Sequence, residues 1–455
     1  MIARIALAGL APIDAARRLA GLPGRFLLAS GSDADGRGRW SFAGAMPERV
    51  LSWRVGESGD PFAELEALAD GPVDPDGGPL PRAVGFLGYG LGRVVERLPA
   101  CARDDLGLPE LWLARYGAVF RHDHVTGESV VLGEDAAAVA TLAARLAAPP
   151  STTWTTATTG TTGTTATTAT TATAPAPRLG PLLADEDAAV HLAAVARALE
   201  YIRAGDVYQV NLARRLSAVV IEHGDPLALF ERLAGVPYGA LLECGDGPDR
   251  FAVVSASPEL FLARAAGATR VETRPIKGTR RRGANPEEDR ALAAELAADP
   301  KERAEHLMIV DLERNDLGRV ARIGSVRVDG FARALPLPGV HHLVSTVSAD
   351  VVPGAGHAQL LRATFPGGSI TGCPKVRAME LIDELEPVAR GPYTGAIGWL
   401  GGGGSLHLSV AIRTAVLTQG ALHLHVGGGV VADSRPEREL EETEEKALAW
   451  RAALA

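Results

Sequence analysis

The chain has 455 residues and a formal net charge of −9, with 46% hydrophobic and 22% charged side chains. Those totals fit a soluble globular protein of enzyme size, either about three average domains or one large α/β unit with two lobes. The acidic balance argues against nucleic acid and anionic membrane as partners, since either would want a basic face.

Cys101, Cys244 and Cys373 have no paired spacing. Neither a disulfide framework nor a zinc site is indicated, and a reducing cytoplasm is the expected location. No apolar run approaches the roughly 18 residues that a membrane helix needs. Residues 1–12 carry one cation, a brief apolar core and no clear cleavage site, so they read as a strand and turn rather than an export signal.

Residues 1–150 alternate short apolar runs with turn clusters. Arg25–Ser30 reads as a buried strand, Gly31–Gly38 as a loop, and Trp40–Gly44 as a strand. Pro61–Ala69 and Ala136–Ala147 read as helices, and Leu111–Phe120 and Ser129–Leu132 as strands. The Gly-rich stretch Ala83–Gly92 lacks a complete G-x-G-x-x-G between strand and helix, so it is a tightly packed strand and turn and not a dinucleotide loop. Residues 151–178 are a Thr/Ala-rich low-complexity linker with nothing to form a core stripe, expected to be disordered or extended. Residues 179–455 form the third region.

Asp185–Ala204 predicts an amphipathic helix capped by Asp185. Residues 205–213 alternate as a half-buried strand that puts Gln209 and Asn211 on one face. Phe251–Leu262 is strand, bend and strand, with Glu259 following Pro258 at the bend. A hairpin about Gly267 would bring Glu259 near the stretch Glu272–Thr279. There Pro275 ends regular pairing and Gly278 allows a sharp turn, which holds Lys277 at a strand exit. Alone, Lys277 reads as a solvated surface cation. In a closed site, Lys277 and Glu259 could serve as nucleophile and acid.

Pro286–Leu317 predicts two helices broken near Asp299-Pro300, with Glu302, Glu305 and His306 on a face that is ordinarily solvated. Val340–Ser348 is a strand whose adjacent His341 and His342 must point to opposite faces. Phe365–Lys375 is a Gly-rich loop opening the helix Val376–Leu385, with free N–H groups for an anion but without the Gly-Lys-Ser/Thr ending of a P-loop. Leu406–Thr414 is a strand ending in Arg413, and Leu422–Val426 leads to Gly427–Gly429, whose amides can approach a ligand. In the acidic helix Pro436–Ala453, Glu442 and Glu445 share a face.

From about 185 to 455 these motifs together resemble the chorismate-utilising enzymes, including component I of aminodeoxychorismate synthase and of anthranilate synthase and the isochorismate and salicylate synthases. The resemblance rests on Tyr208–Leu212, Ser257–Glu259, Arg274–Thr279, Glu305, Asp311–Gly318, His342–Ser345, Pro366–Gly372, Ile412–Thr414 and Gly427–Val431. The N-terminal half matches more loosely, chiefly through Gly85–Arg93.

Anthranilate synthases look like Pro-Ile-Ala-Gly-Thr where this chain has Pro-Ile-Lys-Gly-Thr, the pattern that resembles aminodeoxychorismate synthase component I. The resemblance implies that Lys277 attacks C2 of chorismate and expels the C4 hydroxyl. Ammonia then adds at C4, giving 4-amino-4-deoxychorismate for 4-aminobenzoate and folate. Gln209 stands where isochorismate and salicylate synthases resemble this strand with a water-activating lysine.

By the same resemblance Glu259 is the general acid. Glu305 and Glu442 bind Mg²⁺ with Glu445 as a third. Tyr393, Arg413, Gly427, Gly428 and Gly429 hold the side-chain carboxylate, and Gly278, Thr279, His342 and Thr371 line the ring. Ammonia would come from a separate glutamine amidotransferase subunit, and the product would pass to a separate lyase. Cys373 departs from the usual alanine of its loop. Ala29 and Pro237–Ala240 depart from the pattern of an inhibitory tryptophan pocket. An anthranilate synthase component with an incidental Lys277 and a silent chorismate-binding subunit are the competing readings. The implied fold is α/β: two antiparallel sheets packed face to face in a two-lobed, sandwich-like core with helices outside.

Overall fold

The computed structural model describes residues 2–31, 38–149, 153–160, 163–170, 175–233, 235–337 and 339–455, with 153–160 and 163–170 described by their backbone. The interior of the loop expected at 31–38 lies outside the described residues, as do 151, 152, 161, 162 and 171–174 of the Thr-rich tract. Within that tract Thr153–Gly160 and Gly163–Thr170 pair as an antiparallel hairpin, separate from the main sheets.

Among the described residues the strands make two large antiparallel sheets, of 13 and 10 strands. The first runs from Ala3–Ala6 through Ser129–Gly133, Ala118–Asp123, Trp40–Gly44 and Phe26–Ala29. It continues through Tyr238–Cys244, Phe251–Ser257, Thr414–Thr418 and Ala421–Val430 to Gln209–Glu222. The second runs from Ile276–Arg281 through Val340–Asp350, Arg270–Arg274, Leu260–Arg264 and Ser405–Val410. It ends with Ala396–Gly401, Pro81–Leu87, Leu111–Arg115 and Arg49–Trp53. Both sheets therefore interleave strands from either side of the Thr-rich tract.

The period of two along each strand builds the layers. Phe26, Val84, Phe86, Val253 and Trp399 point into a core between the sheets. Their neighbours Leu27 and Val254 face the helices of the first sheet, and Ala83, Leu87 and Leu400 those of the second. Each fully buried Phe, Leu or Val side chain contributes about 1.5–3 kcal/mol relative to exposure. Runs buried on both faces, such as Pro81–Leu87, are the ones lying between two layers.

Several expected elements differ in their ends. Leu111–Phe120 is two strands, Leu111–Arg115 and Ala118–Asp123, because the chain changes sheets at Tyr116-Gly117. The helix expected from Asp185 begins at Ala188, and its cap is Asp187, which accepts from the Ala189 amide at 2.8 Å. The strand after it spans Gln209–Glu222, longer than expected, since Ala421–Val430 lies alongside it.

The chain passes from one sheet to the other twice at the same place. Phe251–Ser257 leads through Pro258-Glu259 into Leu260–Arg264, and Ser405–Val410 leads through Ala411–Arg413 into Thr414–Thr418. The crossings lie side by side. The Ser257 hydroxyl donates to Val410 O at 2.6 Å, the Val410 amide to Glu259 O at 3.0 Å and the Ala256 amide to Arg413 O at 3.0 Å. Glu259 and Arg413 are thus fixed at one junction. The strand expected over Leu406–Thr414 ends at Val410, so Arg413 lies beyond it, in the crossing itself, with φ 51°.

Candidate active site

Lys277 lies on Ile276–Arg281, which pairs with Val340–Asp350. Lys277 faces Leu343 and Thr279 faces His342, so Gly278 is an extra residue, held at φ +70°. This is a bulge of the kind that re-aims a side chain, and the positive φ calls for glycine. A Cβ there would also stand 3.0 Å from the Glu302 carboxylate.

The Lys277 ammonium has no hydrogen-bond partner among the described residues, though its side chain is only half-buried by surface. The two facts fit a group deep in a concavity, with protein around it and its tip toward the hollow. Its pKa is held below the ordinary lysine value, first by desolvation and then by the Lys446 cation, against the pull of Glu305, Glu259 and Glu442. Lowering by burial and a neighbouring cation is how a lysine becomes a nucleophile.

Glu259 is 4% exposed. Burial pushes its carboxyl up to about 7, although a hydrogen bond from Ser369, the Lys277 charge and the Ile276 amide favour the anion. It can therefore keep a proton near neutrality, as a general acid must.

Glu305 comes from the helix Pro300–Gly318 and Glu442 from Pro436–Leu454; each is felt by Lys277, and Glu442 also acts on Glu305. Burial raises Glu305, with Lys277 and Lys301 opposing. Burial would raise Glu442 too, but Lys446, with Lys277 and Lys301, outweighs it and the net shift is downward. Lys446 Nζ donates to Glu442 Oε1 and to Gly427 O, both at 2.6 Å.

Glu445 is not brought to this cluster. It is exposed, and its charge acts on Arg438 at the start of its own helix. Glu439 takes the inner place instead. Its buried Oε2 has no hydrogen-bond partner among the described residues, and it stands with Glu442 beside Gly428. Among the described residues no three or more His, Cys, Asp or Glu are arranged to hold a metal ion. Two carboxylates nevertheless suit Mg²⁺, which commonly takes one or two from protein and the rest from water and substrate oxygens. The orphaned Glu439 oxygen and the lysines beside Glu305 and Glu442 make this a donor set that could take a cation.

His342 is 3% exposed; its Nδ1 meets Gly278 O at 3.0 Å and Thr279 Oγ1 at 3.1 Å, leaving buried Nε2 unpartnered. Burial lowers its pKa to about 4, so the ring is neutral. His341 points the other way, to Asp289 at 2.8 Å. Thr279 is exposed at this rim. Arg413 has no ion pair among the described residues, and burial lowers its pKa. A guanidinium without a counter-ion among the described residues, on a left-handed backbone, could take a carboxylate. Tyr393, 8% exposed, stacks on His425 with ring centroids 5.4 Å apart.

Gly427, Gly428 and Gly429 continue the strand Ala421–Val430 rather than forming a loop. They pair with Ala213, Leu212 and Asn211 on one edge, while pairing on the other edge stops at Leu424. Close approach requires glycine here: a Cβ would sit 2.4 Å from Leu212 O at Gly427 and 2.8 Å from Gln209 Nε2 at Gly429. Gln209 is fully buried beside them with its carbonyl oxygen unpartnered.

The loop Phe365–Lys375 was expected to offer amides to an anion. Thr371 is buried there, and its hydroxyl donates to Gly367 O at 3.0 Å. The amides of Gly368 and Ser369 already donate to the chain's own Glu313, at 2.9 and 3.3 Å. Sequence reasoning passed over Glu313, Ser369, Glu439 and Lys446. Glu439, Glu442 and Lys446 have helical i, i+3, i+7 spacing, a signal that the sequence did carry.

A second cavity, of about 570 Å³, lies between the sheets and is lined by Ala29, Trp40, Tyr238, Ala240, Trp399 and His407. None of the residues assigned above to the reaction lines it.

A sequence profile of the chorismate binding enzyme family matches residues 28–451. The chain is 39% identical to anthranilate synthase component 1 of Thermus thermophilus, over 96% of this chain and 94% of that one. It is 39% identical to aminodeoxychorismate synthase component 1 of Klebsiella aerogenes, over 94% and 93%. The solved anthranilate synthase component I of Streptococcus pneumoniae superposes with a TM-score of 0.75 at 29% identity, covering 91% of this chain and 92% of that one. With that coverage, and with the junction cluster in place, the chain belongs to the chorismate binding enzyme family and is a chorismate-utilising enzyme.

Proposed function

We propose that this enzyme is an aminodeoxychorismate synthase component, which aminates chorismate at C4 through a covalent bond to Lys277. The observation that carries this reading is a desolvated lysine without a hydrogen-bond partner among the described residues, within the electrostatic reach of a carboxylic acid that holds its proton near pH 7. The equal identity to relatives of both names leaves the choice to the residues at the site, and Lys277 favours amination at C4.

The unprotonated Lys277 amine attacks C2, the ring double bonds shift, and the C4–O bond breaks as Glu259 gives its proton to the leaving hydroxyl. Ammonia adds at C4, the double bonds shift back, and Lys277 leaves C2. Glu259, now a carboxylate, takes a proton from the incoming nitrogen. Arg413 and Tyr393 hold the side-chain carboxylate, and His342 lines the ring. Glu305 and Glu442, with Glu439 beside them, would hold Mg²⁺, which when bound would offset the charge of the ring carboxylate. Ammonia comes from a glutamine amidotransferase partner, and a separate lyase makes 4-aminobenzoate.

The test is incubation of the purified chain with chorismate, Mg²⁺ and ammonium, with the product identified by mass and fluorescence. A non-aromatic amino product that becomes 4-aminobenzoate only with added lyase supports the reading. Direct appearance of fluorescent anthranilate overturns it.

A further inference from the structure

We infer that Arg390 is a positioning residue for the side-chain carboxylate of the substrate: it fixes the turn that carries Tyr393 and braces the sheet crossing that carries Arg413. The inference rests on the reading of Tyr393 and Arg413 as the groups that hold that carboxylate.

Arg390 is 4% exposed and stands at the head of the turn that leads into Ala396–Gly401. A guanidinium has five N–H donors, and here each of the five has an acceptor. Nε and one Nη2 proton go to the two carboxylate oxygens of Glu386, at 2.9 and 2.6 Å. The other three reach three separate segments, at Asn211 O (2.8 Å), Ile370 O (3.2 Å) and Thr394 Oγ1 (3.0 Å). Ile370 precedes Thr371, Asn211 pairs with Gly429 and Thr394 follows Tyr393, so the planar fork joins three segments at expected substrate contacts. A pair that served only to bury Glu386 would need two of those five bonds.

The link to Arg413 runs through Thr394. That residue sits at φ 60°, a left-handed backbone that a β-branched side chain rarely adopts. Its hydroxyl accepts from Arg390 and donates to Tyr393 O at 2.6 Å, and its amide donates to Ala411 O at 2.8 Å. The Ala411 amide donates in return to Gly395 O at 2.9 Å. Ala411 opens the crossing that ends in Arg413, so the turn and the crossing are latched together. Arg390 also lies 5.7 Å from the centroid of the Tyr393 ring and 4.7 Å from that of Tyr89, whose amide donates to Gly391 O at 2.8 Å. The Gly-rich stretch Ala83–Gly92 thereby gains a part in the site, as the support beneath this arginine.

Binding is read by titration calorimetry in Mg²⁺ with two aromatic acids. One is meta-(carboxymethoxy)benzoate, which has a ring carboxylate and a side-chain carboxylate. The other is meta-ethoxybenzoate, which has the ring carboxylate alone. Arg390→Lys keeps a cation beside Glu386 but has three donors in place of five. In that variant Kd for the dicarboxylate should rise about tenfold, while Kd for meta-ethoxybenzoate stays within about twofold. KM for chorismate should rise by a similar factor, with kcat within about threefold of the parent. Thr394→Val leaves the Arg390–Glu386 pair in place and cuts the link to the turn; it should raise the ratio of the two Kd values about threefold. Equal weakening of both acids in Arg390→Lys overturns the inference, because the effect is then on the fold as a whole. An unmoved ratio in Thr394→Val overturns it whether or not Arg390→Lys folds. Arg413→Gln tests the underlying reading with Arg390 intact: a dicarboxylate preference that survives there removes Arg413 from the subsite and overturns the inference from that side. Since binding is measured, none of these outcomes depends on which product the enzyme releases.

Discussion

Two lysines, about a hundred residues apart in sequence, show how the same side chain is put to opposite uses. Lys375, at the start of a helix, donates to Asp316 and to the carbonyls of Thr364 and Pro366. Every proton of its ammonium has a partner, and it ties the Gly-rich loop to the helix beneath. Lys277, on a bulged strand, has neighbouring carboxylates in its field but no hydrogen bond among the described residues. A saturated ammonium is structure. An unsatisfied one in a desolvated hollow is free to lose its proton and attack.

That contrast is broken most decisively at Lys277. Lys277→Ala should lower chorismate amination by about a thousandfold or more, and Lys277→Arg should not restore it, because a guanidinium keeps its charge. Quenched turnover analysed by intact mass should show a chorismate-derived adduct in the parent and none in either variant. Lys375→Met should act on the other quantity. It leaves Asp316 buried without its cation and should cost about 3–5 kcal/mol in denaturant unfolding.

The pH dependence of stability sharpens the comparison at Glu259. Its folded pKa, near 7, lies above the value of about 4.5 for an ordinary glutamate. The protonated form is therefore favoured in the folded chain. The associated stability is fully present below about pH 4.5 and is lost as pH rises through 7, by roughly 3 kcal/mol in all. Glu259→Gln should flatten that slope between pH 4.5 and 7 when unfolding midpoints are followed across this range.

The smallest expected effect separates two neighbours on the last helix. Glu442→Gln should raise the Mg²⁺ concentration for half-maximal activity by about tenfold or more, while Glu445→Gln should leave it within about twofold. Equal effects would return Glu445 to the metal set.

Much of this site was legible in the sequence. Lys277, Gly278 and Glu259 were marked by Pro and Gly punctuation around short β runs, and the bulge at Gly278 is the local form of that signal. The opposite facing of His341 and His342 followed from strand geometry alone. The choice between Glu439 and Glu445 did not follow. Both lie three residues from Glu442, one toward each end of the helix, and only the buried stripe Thr443, Ala447 and Trp450 shows which side turns inward. Glu313 was invisible for a related reason. Its partners, Gly368 and Ser369, are more than fifty residues away, and nothing local distinguishes a buried glutamate from a solvated one.

The sequence by itself determined most helices and strands but not their ends, because period and punctuation are local properties of the chain while ends are set by pairing. It also determined the family, because many short motifs stand in a fixed order. Tertiary structure alone decided that Glu259 and Arg413 sit at adjacent sheet crossings and that Lys277 meets Glu305 and Glu442 from two distant helices. It also decided that an internal carboxylate fills the anion site of the Gly-rich loop. Those are outcomes of burial and pairing between distant segments, and electrostatic identity is set by such neighbours rather than by position in the chain.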